Sequence, residues 1–375
     1  MRARWTVAAV VLVGGLLAGC QVAVSGAAGV SAADEQKAER LAAQRTAVDS
    51  AVDALREAPA LQYDTTVKDA SGRPADLSFR ITGDGDGIGT LPFEGRPVRI
   101  VQVGGELYLS ADEDYWKAHG LEQDSAQFGT GWVHTVGSEL PVDPAAKLSP
   151  GRLADALGAT LAALNQTAEP VRQKGPDGPE VYQLGGGLGA LQVTAAAPFR
   201  VVGVAPALID PRGGPQLGTG FRVRPVLGDD LKRFRADFDS AVDQLGQPFE
   251  GLAQASVAVL NDKLDCQNFV GSCTTSVDVS ANVVGGAANP KPTVHVTLTV
   301  EMSAGALGSR NCTTQADAAA DATITMSCSV KFSLPNRTAS YQVLAKPSAV
   351  GEVRVPFDAN AVKQRLAASF AKLGA

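Results

Sequence analysis

The chain has 375 residues, enough for two domains, and its 45% hydrophobic and 19% charged residues are typical of a folded protein rather than a disordered one. Its 33 basic and 39 acidic residues leave a formal net charge of −6, and no basic run offsets it. Such a charge repels nucleic acid at long range, so we expect no nucleic-acid partner.

The N-terminus predicts export and lipid anchoring. Arg2 and Arg4 precede an uncharged stretch, residues 6–17, which is shorter than the roughly 20 residues that a membrane-spanning helix needs. The end of this stretch matches a bacterial lipobox, formed by Leu17, Ala18, Gly19 and Cys20. The match implies that Cys20 is linked to diacylglycerol and that residues 1–19 are removed as a signal peptide. The alternative is an ordinary secretion signal with Cys20 unmodified.

We predict that residues 20–33 form a lipidated cysteine followed by a flexible tether, because residues 21–33 are mostly small and uncharged. Stable anchoring takes two acyl chains, and a diacylglyceryl group supplies two. We therefore expect a protein held on the extracytoplasmic face of a bacterial cell membrane by its acylated N-terminus. The abundance of Ala, Gly, Val and Arg suggests a GC-rich source, such as an actinobacterium.

Residues 34–245 predict an α+β domain. Apolar residues repeat at helical spacing over 34–58, from Ser149-Pro150 onward, and over 229–245. Period-two alternation predicts strands at 61–68, 75–82, 180–184, 190–195, 199–205 and 220–226, and a hairpin over 96–111. The break in pattern at 246–251 marks the predicted domain boundary.

Residues 252–356 predict a smaller antiparallel β-sandwich. The segments 275–283, 293–302 and 322–334 alternate apolar and polar residues over strand-like lengths. A short amphipathic helix, about 359–373, lies in the final segment, 357–375.

Four cysteines remain once Cys20 is assigned to lipid, namely Cys266, Cys273, Cys312 and Cys328. An even number in an exported chain predicts two disulfides, for which several pairings are possible. We favour Cys266–Cys273 and Cys312–Cys328, because both loops are short. A zinc site is the competing interpretation, although no close C-x-x-C pair supports it.

The motif GDGDGIG at 83–89 fits neither a phosphate loop nor a calcium loop. Its glycines are spaced by two and no Lys-Ser/Thr follows, while a calcium loop from Asp84 would place Ile88 and Gly95 at its fifth and twelfth positions. A hairpin turn is the better interpretation. The acidic residues 112–114 predict a solvated turn, with a cation site as the alternative.

The sequence favours a binding protein over an enzyme, with no metal and no cofactor. The histidines His119, His134 and His295 lie in no metal-ligand spacing, and the motifs G-x-S-x-G and H-E-x-x-H are absent. A catalytic site assembled from scattered residues is the alternative, since triads are recognised by geometry.

The layout of the first domain carries a family resemblance. A lipobox cysteine, a tether and an amphipathic helix precede GRPVRIVQVGGELYLSADEDYWKAHG at 95–120 and GALQVTAAAPFRVVGVA at 189–205. Over residues 34–245 this resembles the LolA-like lipoproteins and the LprG/LppX-like lipoproteins of mycobacteria. The resemblance implies a curved antiparallel sheet over helices, with a hollow that holds the acyl chains of lipids or lipoglycans in transit. The cysteine-bearing domain is a departure from those single-domain carriers.

Apolar helix faces and aromatic residues are the candidate lining of such a cavity: Leu153, Leu157, Leu161, Phe234, Phe238, Tyr108 and Trp116. A fully packed core is the other interpretation of these residues. Two functions follow as expectations. The first is a binder or carrier of a lipid or lipoglycan, which requires a large apolar cavity. The second is an envelope module that docks a partner protein or the cell wall through its β-sandwich, which requires a filled interior and an exposed apolar patch.

Overall fold

The computed structural model describes residues 31–68, 74–93, 96–136, 140, 143–163, 171–175, 178–185, 190–209, 220–267, 270–286, 291–336 and 339–374. The described residues divide into two compact units, one within 31–42 and the other within 43–374. In the first unit the described residues begin a helix that Ser31 caps, because the Ser31 hydroxyl accepts a hydrogen bond from the Asp34 amide at 3.1 Å. The remaining elements belong to the second unit.

The described residues form eight α-helices and eighteen strands. The helices are α1 (Ala32–Arg56), α2 (Glu113–Ala118), α3 (Ser125–Phe128), α4 (Pro144–Lys147), α5 (Pro150–Ala163), α6 (Pro206–Ile209), α7 (Gly228–Leu245) and α8 (Ala359–Lys372). The strands of the N-terminal part are β1 (Ala60–Lys68), β2 (Pro74–Thr82), β3 (Gly87–Phe93), β4 (Arg96–Val103), β5 (Glu106–Ser110), β6 (Val133–Thr135), β7 (Val171–Lys174), β8 (Glu180–Leu184), β9 (Leu191–Thr194), β10 (Val201–Val204) and β11 (Phe221–Pro225). Those of the C-terminal part are β12 (Phe249–Glu250), β13 (Ala253–Gln267), β14 (Ser272–Gly285), β15 (Thr293–Ser303), β16 (Ser309–Ala319), β17 (Ala322–Lys331) and β18 (Leu344–Arg354).

Fifteen strands form one large sheet in the order β16-β15-β18-β12-β6-β5-β4-β3-β2-β1-β11-β10-β9-β8-β7. Neighbours are antiparallel except for β12 and β6, which run parallel. Phe249 of β12 pairs with Val133 of β6 on one side and with Arg354 of β18 on the other. The two-residue strand β12 therefore joins the strands of the N-terminal part to those of the C-terminal part.

Two cores lie on opposite faces of the large sheet. Along β5, Leu107 and Leu109 belong to the first core and Tyr108 to the second, because successive side chains of a strand point to opposite faces. The first core contains buried residues of α5 and of α1 from Val48 onward, and the second contains buried residues of α7 and α8. The sheet is thus a layer between two sets of helices.

Helix α7 shows why these segments become helices. Its apolar residues recur every three or four positions and form one buried stripe of Leu231, Phe234, Phe238, Val242 and Leu245. Asp229 and Asp230 lie in the first turn, where negative charge suits the helix dipole. Gly246 ends the helix at a φ of 59°, a conformation that glycine adopts without strain.

Residues 253–354, here called the cysteine module, place a small sheet of order β13-β14-β17 against strands β16, β15 and β18 of the large sheet. A shared core fills the space between the layers, and Val277, Val296, Leu298 and Val300 in it are fully buried. The disulfide Cys266–Cys273 closes the β13–β14 hairpin, whereas Cys312–Cys328 links β16 to β17 and so joins the two layers. Both favoured cysteine pairings are confirmed.

The structure confirms the α+β class, the large antiparallel sheet, a second smaller sheet and the C-terminal helix. The sequence reading missed β13, β16 and β18 of the cysteine module. The segment 246–251, predicted as a boundary, contains β12, a strand of the shared sheet. The division into two domains stays a prediction.

The turn predicted at residues 112–114 is wrong, although Glu113 and Asp114 are exposed to solvent as expected. These residues begin helix α2, whose N-cap is Asp112, and the Asp112 carboxylate accepts a hydrogen bond from the Tyr115 amide at 3.0 Å. Arg96 pairs with Asp112 at 2.6 Å and with Asp114 at 2.7 Å. The acidic residues therefore serve a helix start and two ion pairs with Arg96.

Candidate functional site

A hollow of about 680 Å³ lies on one face of the large sheet, and we call it the polar groove. Its polar side chains come from β1, β2, β7, β9 and β11 and include Asp64, Thr66, Asp76, Ser78, Lys174, Gln192 and Arg222. Along β1 and β2 these residues alternate with Tyr63 and Phe79 of the first core, so they lie on the opposite face of the sheet. The volume is within the range of about 300–1,000 Å³ that small-molecule sites occupy.

Hydrogen bonds hold the floor of the polar groove in place. The Asp64 carboxylate accepts from the Ser78 hydroxyl at 2.9 Å and from the Gln62 amide at 3.1 Å. The Thr66 hydroxyl donates to Asp76 at 2.8 Å on the neighbouring strand. A β-carbon at position 203 would approach the Gln192 side chain to 2.7 Å, so Gly203 leaves Gln192 room to lie flat against the sheet. The acceptors of the groove are therefore pre-oriented on adjacent strands.

The two cations of the groove make fewer contacts with other side chains than its carboxylates do. The side chains of Arg222 and Lys174 are exposed and make no hydrogen bond or ion pair with another side chain of the described residues. The groove thus offers donors from these two cations and from Gln192, beside carboxylate and hydroxyl acceptors. An arrangement of this kind suits a ligand with many hydroxyl groups, because hydroxyls both donate and accept.

A second polar cluster lies where β5, β6 and β12 meet. The buried His134 has Nδ1 at 2.9 Å from Glu250 Oε2 and Nε2 at 2.7 Å from Glu106 Oε2. Burial lowers the pKa of His134, but its hydrogen bonds to Glu250 and Glu106 and their charges raise it more, so the net shift is upward. Glu250 also accepts from the Leu252 amide at 3.0 Å. His134 thus ties β12 to two strands of the N-terminal part.

The motif GDGDGIG forms the predicted hairpin turn between β2 and β3, and its two aspartates bind helix α8. The buried Asp86 carboxylate accepts from Arg365 Nη1 at 2.5 Å and from the Gly104 amide at 2.7 Å. Asp84 accepts from the Ser369 hydroxyl at 2.5 Å. Ser369 also starts an S-x-x-K match at 369–372, and its hydroxyl is engaged by this contact.

The seven candidate cavity residues do not come together. Leu153, Leu157, Leu161 and Trp116 pack in or against the first core, whereas Tyr108, Phe234 and Phe238 pack in the second. All but Leu161 are nearly or fully buried, and none of the seven lines the polar groove. They pack as core residues on opposite faces of the sheet.

The buried indole Nε1 of Trp116 has no hydrogen-bond partner among the described residues. The indole packs edge-on against Tyr115 and Phe128, with ring centroids 5.0 Å and 5.6 Å away. Trp116 therefore contributes apolar packing to the first core, with one unpaired donor.

The three histidines contact different partners. His119 stacks on Tyr115 and its Nδ1 lies 2.7 Å from the Tyr115 carbonyl, while His295 pairs with Asp317 on the surface of the cysteine module. Within the described ranges, no group of three His, Cys, Asp or Glu side chains could hold a metal ion.

The lipobox residues Leu17, Ala18, Gly19 and Cys20 lie outside the described residues, so lipidation at Cys20 stays a prediction. None of the helices in the described part of the chain combines the length and the apolar character that crossing a bilayer requires.

Sequence reasoning missed the residues of the polar groove. A weak signal is present, because 61–68 and 75–82 alternate polar and apolar residues and thereby give one polar face. A polar strand face normally lies in open solvent. The sequence does not show which part of that face α7 covers and which part stays open as a groove.

No family model, no curated protein and no solved structure matches this chain.

Proposed function

We propose that the protein is anchored through a lipidated Cys20 on the extracytoplasmic face of the cell membrane and binds the polar part of an envelope lipid or lipoglycan. The observation that carries the proposal is the polar groove of about 680 Å³, in which pre-oriented acceptors lie beside two exposed cations. The lipobox supports the anchor. The resemblance to the LolA-like and LprG/LppX-like lipoproteins supports a lipid or lipoglycan as the ligand class.

The groove favours the head of such a ligand over its acyl chains. Burial of acyl chains yields about 25 cal/mol per Å² only where the walls are apolar. The two cores of the described residues are packed by their own side chains. The lining of the groove includes two carboxylates, two cations, hydroxyls and an amide, beside Leu77, Val204 and Phe221, which belong to the first core. A glycan or other hydroxylated headgroup satisfies these groups, whereas an acyl chain would leave them desolvated and unpaired.

The test uses the processed protein purified from native membranes and analysed by native mass spectrometry. We expect a co-purifying lipid or lipoglycan on the parent. Ser78→Tyr should remove it, because Ser78 lines the floor of the groove. Ser348→Tyr is the matched control at an exposed position of β18 in the cysteine module and should retain the ligand. No ligand on the parent, or equal retention by both variants, would reject the proposal.

A second candidate function is an envelope module that docks a partner protein through the cysteine module. The filled core of the module favours it, together with exposed apolar side chains at Leu260, Leu344 and Val350. Co-sedimentation with isolated envelope fractions tests it. Val350→Asp should weaken binding, and Val136→Asp, at an exposed apolar residue outside the module, should not. Equal binding of the two variants to the envelope fractions would refute docking through the cysteine module.

A further inference from the structure

A second hollow, of about 360 Å³, lies between α7 and the face of the large sheet, and we call it the arginine pocket. Its polar side chains include Ser78, Arg80, Thr90, Arg99, Asp237 and Gln244. Ser78 also lines the polar groove, so the two hollows meet at this residue.

Arg99 is held in this pocket by neutral groups. Its Nη2 donates to Gln244 Oε1 at 2.6 Å, and its guanidinium carbon lies 4.6 Å from the centroid of the Trp132 ring. Stacking on an aromatic face and a hydrogen bond to an amide fix the position of the guanidinium without neutralising its charge. No described carboxylate lies within ion-pair distance of Arg99.

Arg80, the other arginine of the pocket, does pair with a carboxylate. Arg80 Nη2 pairs with Asp237 Oδ2 at 2.8 Å and stacks over Phe234. The lining therefore holds two guanidinium groups and one carboxylate, an excess of one positive charge. Burial lowers the pKa of Arg99, because no anion compensates for the lost hydration of its charge.

We propose that the arginine pocket binds an oxyanion, phosphate or carboxylate, and that Arg99 is its principal binding residue. The free edge of a guanidinium presents parallel N–H donors that match two oxygens of such an anion. The hydroxyls of Thr90 and Ser240 line the same pocket and can donate to the remaining oxygens. This inference rests on the proposed function, since the anion would belong to the headgroup whose hydroxylated part occupies the adjoining polar groove.

The first test measures oxyanion binding to the detergent-solubilised mature protein. Inorganic phosphate and acetate are titrated at constant ionic strength against chloride, with tryptophan fluorescence as the readout, because Trp132 stacks under Arg99. We expect saturable binding of at least one of the two anions. A charge-assisted hydrogen bond contributes about 1.5–3 kcal/mol, so Arg99→Gln should weaken binding about tenfold or more. No anion-dependent change, or unchanged affinity in Arg99→Gln, would overturn the inference.

Two further variants control for general effects of substitution. Arg172→Gln removes an exposed arginine that also stacks on an aromatic ring, that of Tyr182, and should leave anion affinity unchanged. Arg99→Lys keeps the charge and loses the paired donors, so its affinity should fall between those of the parent and Arg99→Gln. An Arg99→Lys protein that folds and binds like the parent would overturn the assignment of the guanidinium fork.

A second readout separates the source of the anion. Vesicles of phosphatidylglycerol with phosphatidylcholine, compared with phosphatidylcholine alone, test recognition on a lipid headgroup, and inorganic phosphate tests the free ion. Preference for the anionic vesicles that Arg99→Gln loses identifies a headgroup, and binding of phosphate alone identifies a soluble ligand. Native mass spectrometry distinguishes the two proposals: a ligand lost in Ser78→Tyr and fully retained in Arg99→Gln leaves the proposed function intact and refutes the oxyanion site.

Discussion

Single side chains hold the junction between β5, β6 and β12. His134 is buried between Glu106 and Glu250, and each ring nitrogen lies within hydrogen-bond distance of one carboxylate. Both nitrogens can donate only in the imidazolium form, which is why the two carboxylates favour the charged ring. The sequence shows the three residues far apart, and only the pairing of β12 with β6 places Glu250 beside His134.

The raised pKa of His134 predicts a pH dependence of stability. The protonated ring contributes stability that is fully present below the unfolded value of about 6.5 and is lost as the pH rises through the higher folded value. We therefore expect the melting temperature of the parent to fall from about pH 6 to about pH 9 more steeply than that of His134→Gln. Circular dichroism melts at constant ionic strength measure this.

His295→Gln is the matched control for that experiment. His295 pairs with one carboxylate, that of Asp317, on the surface, where ion pairs contribute little. If the melting temperature of His134→Gln falls with pH as steeply as that of the parent, the role given to the buried ring is contradicted.

Secondary-structure elements are joined by a few covalent and ionic contacts. The two disulfides differ in what they join, since Cys266–Cys273 closes one hairpin and Cys312–Cys328 joins two layers. Loop entropy assigns about 2.5 kcal/mol to the first and about 3 kcal/mol to the second. Cys273 and Cys328 are both buried in the shared core, so the loss of either pair leaves a cavity, and the two disulfides differ in loop length and in what they join.

Replacing Cys312 and Cys328 by alanine should therefore lower the free energy of unfolding more than replacing Cys266 and Cys273. Urea denaturation of the two double variants and the parent measures the difference. A larger loss from the hairpin pair would contradict this account of the layers.

Helix α8 depends on a partly buried ion pair. Arg365, which is 45% exposed, binds Asp86, whose side chain is 2% exposed. Removing the arginine leaves a buried carboxylate without its cation. We therefore expect Arg365→Ala to lower the free energy of unfolding by about 2 kcal/mol, which is less than the loss for a fully buried pair. Lys363→Ala on the same helix breaks the more exposed pair with Asp243 and should cost about 0.5 kcal/mol. Equal effects in urea denaturation would show that the aspartates of the GDGDGIG turn do not hold α8.

The whole molecule combines a predicted anchor with a sheet that runs through both halves of the chain. If Cys20 carries acyl chains, labelled palmitate should be incorporated into the parent and not into Cys20→Ser, and only the parent should fractionate with membranes. Equal palmitate incorporation and equal fractionation of the two proteins would refute both the predicted anchor and the predicted location.

The sequence by itself determined the features that depend on neighbouring residues. The stripe of α7, the turn at 83–86, the alternation of β14, β15 and β17, and both short-loop disulfides follow from local spacing. Strand β13 could have been found too, since Ala255, Val257 and Val259 alternate with polar or small residues. Helix α2 was missed because its six residues give too little periodicity to outweigh the acidic composition of its start.

Only the tertiary structure decided which residues form a site. It divided the predicted cavity residues between two packed cores, because the sheet passes between α5 and α7. It opened the polar groove where α7 does not cover the strands, and it placed Arg99 of β4 beside Gln244 of α7. Such contacts join residues more than a hundred positions apart, and the pattern of one strand or one helix carries no information about what packs against it.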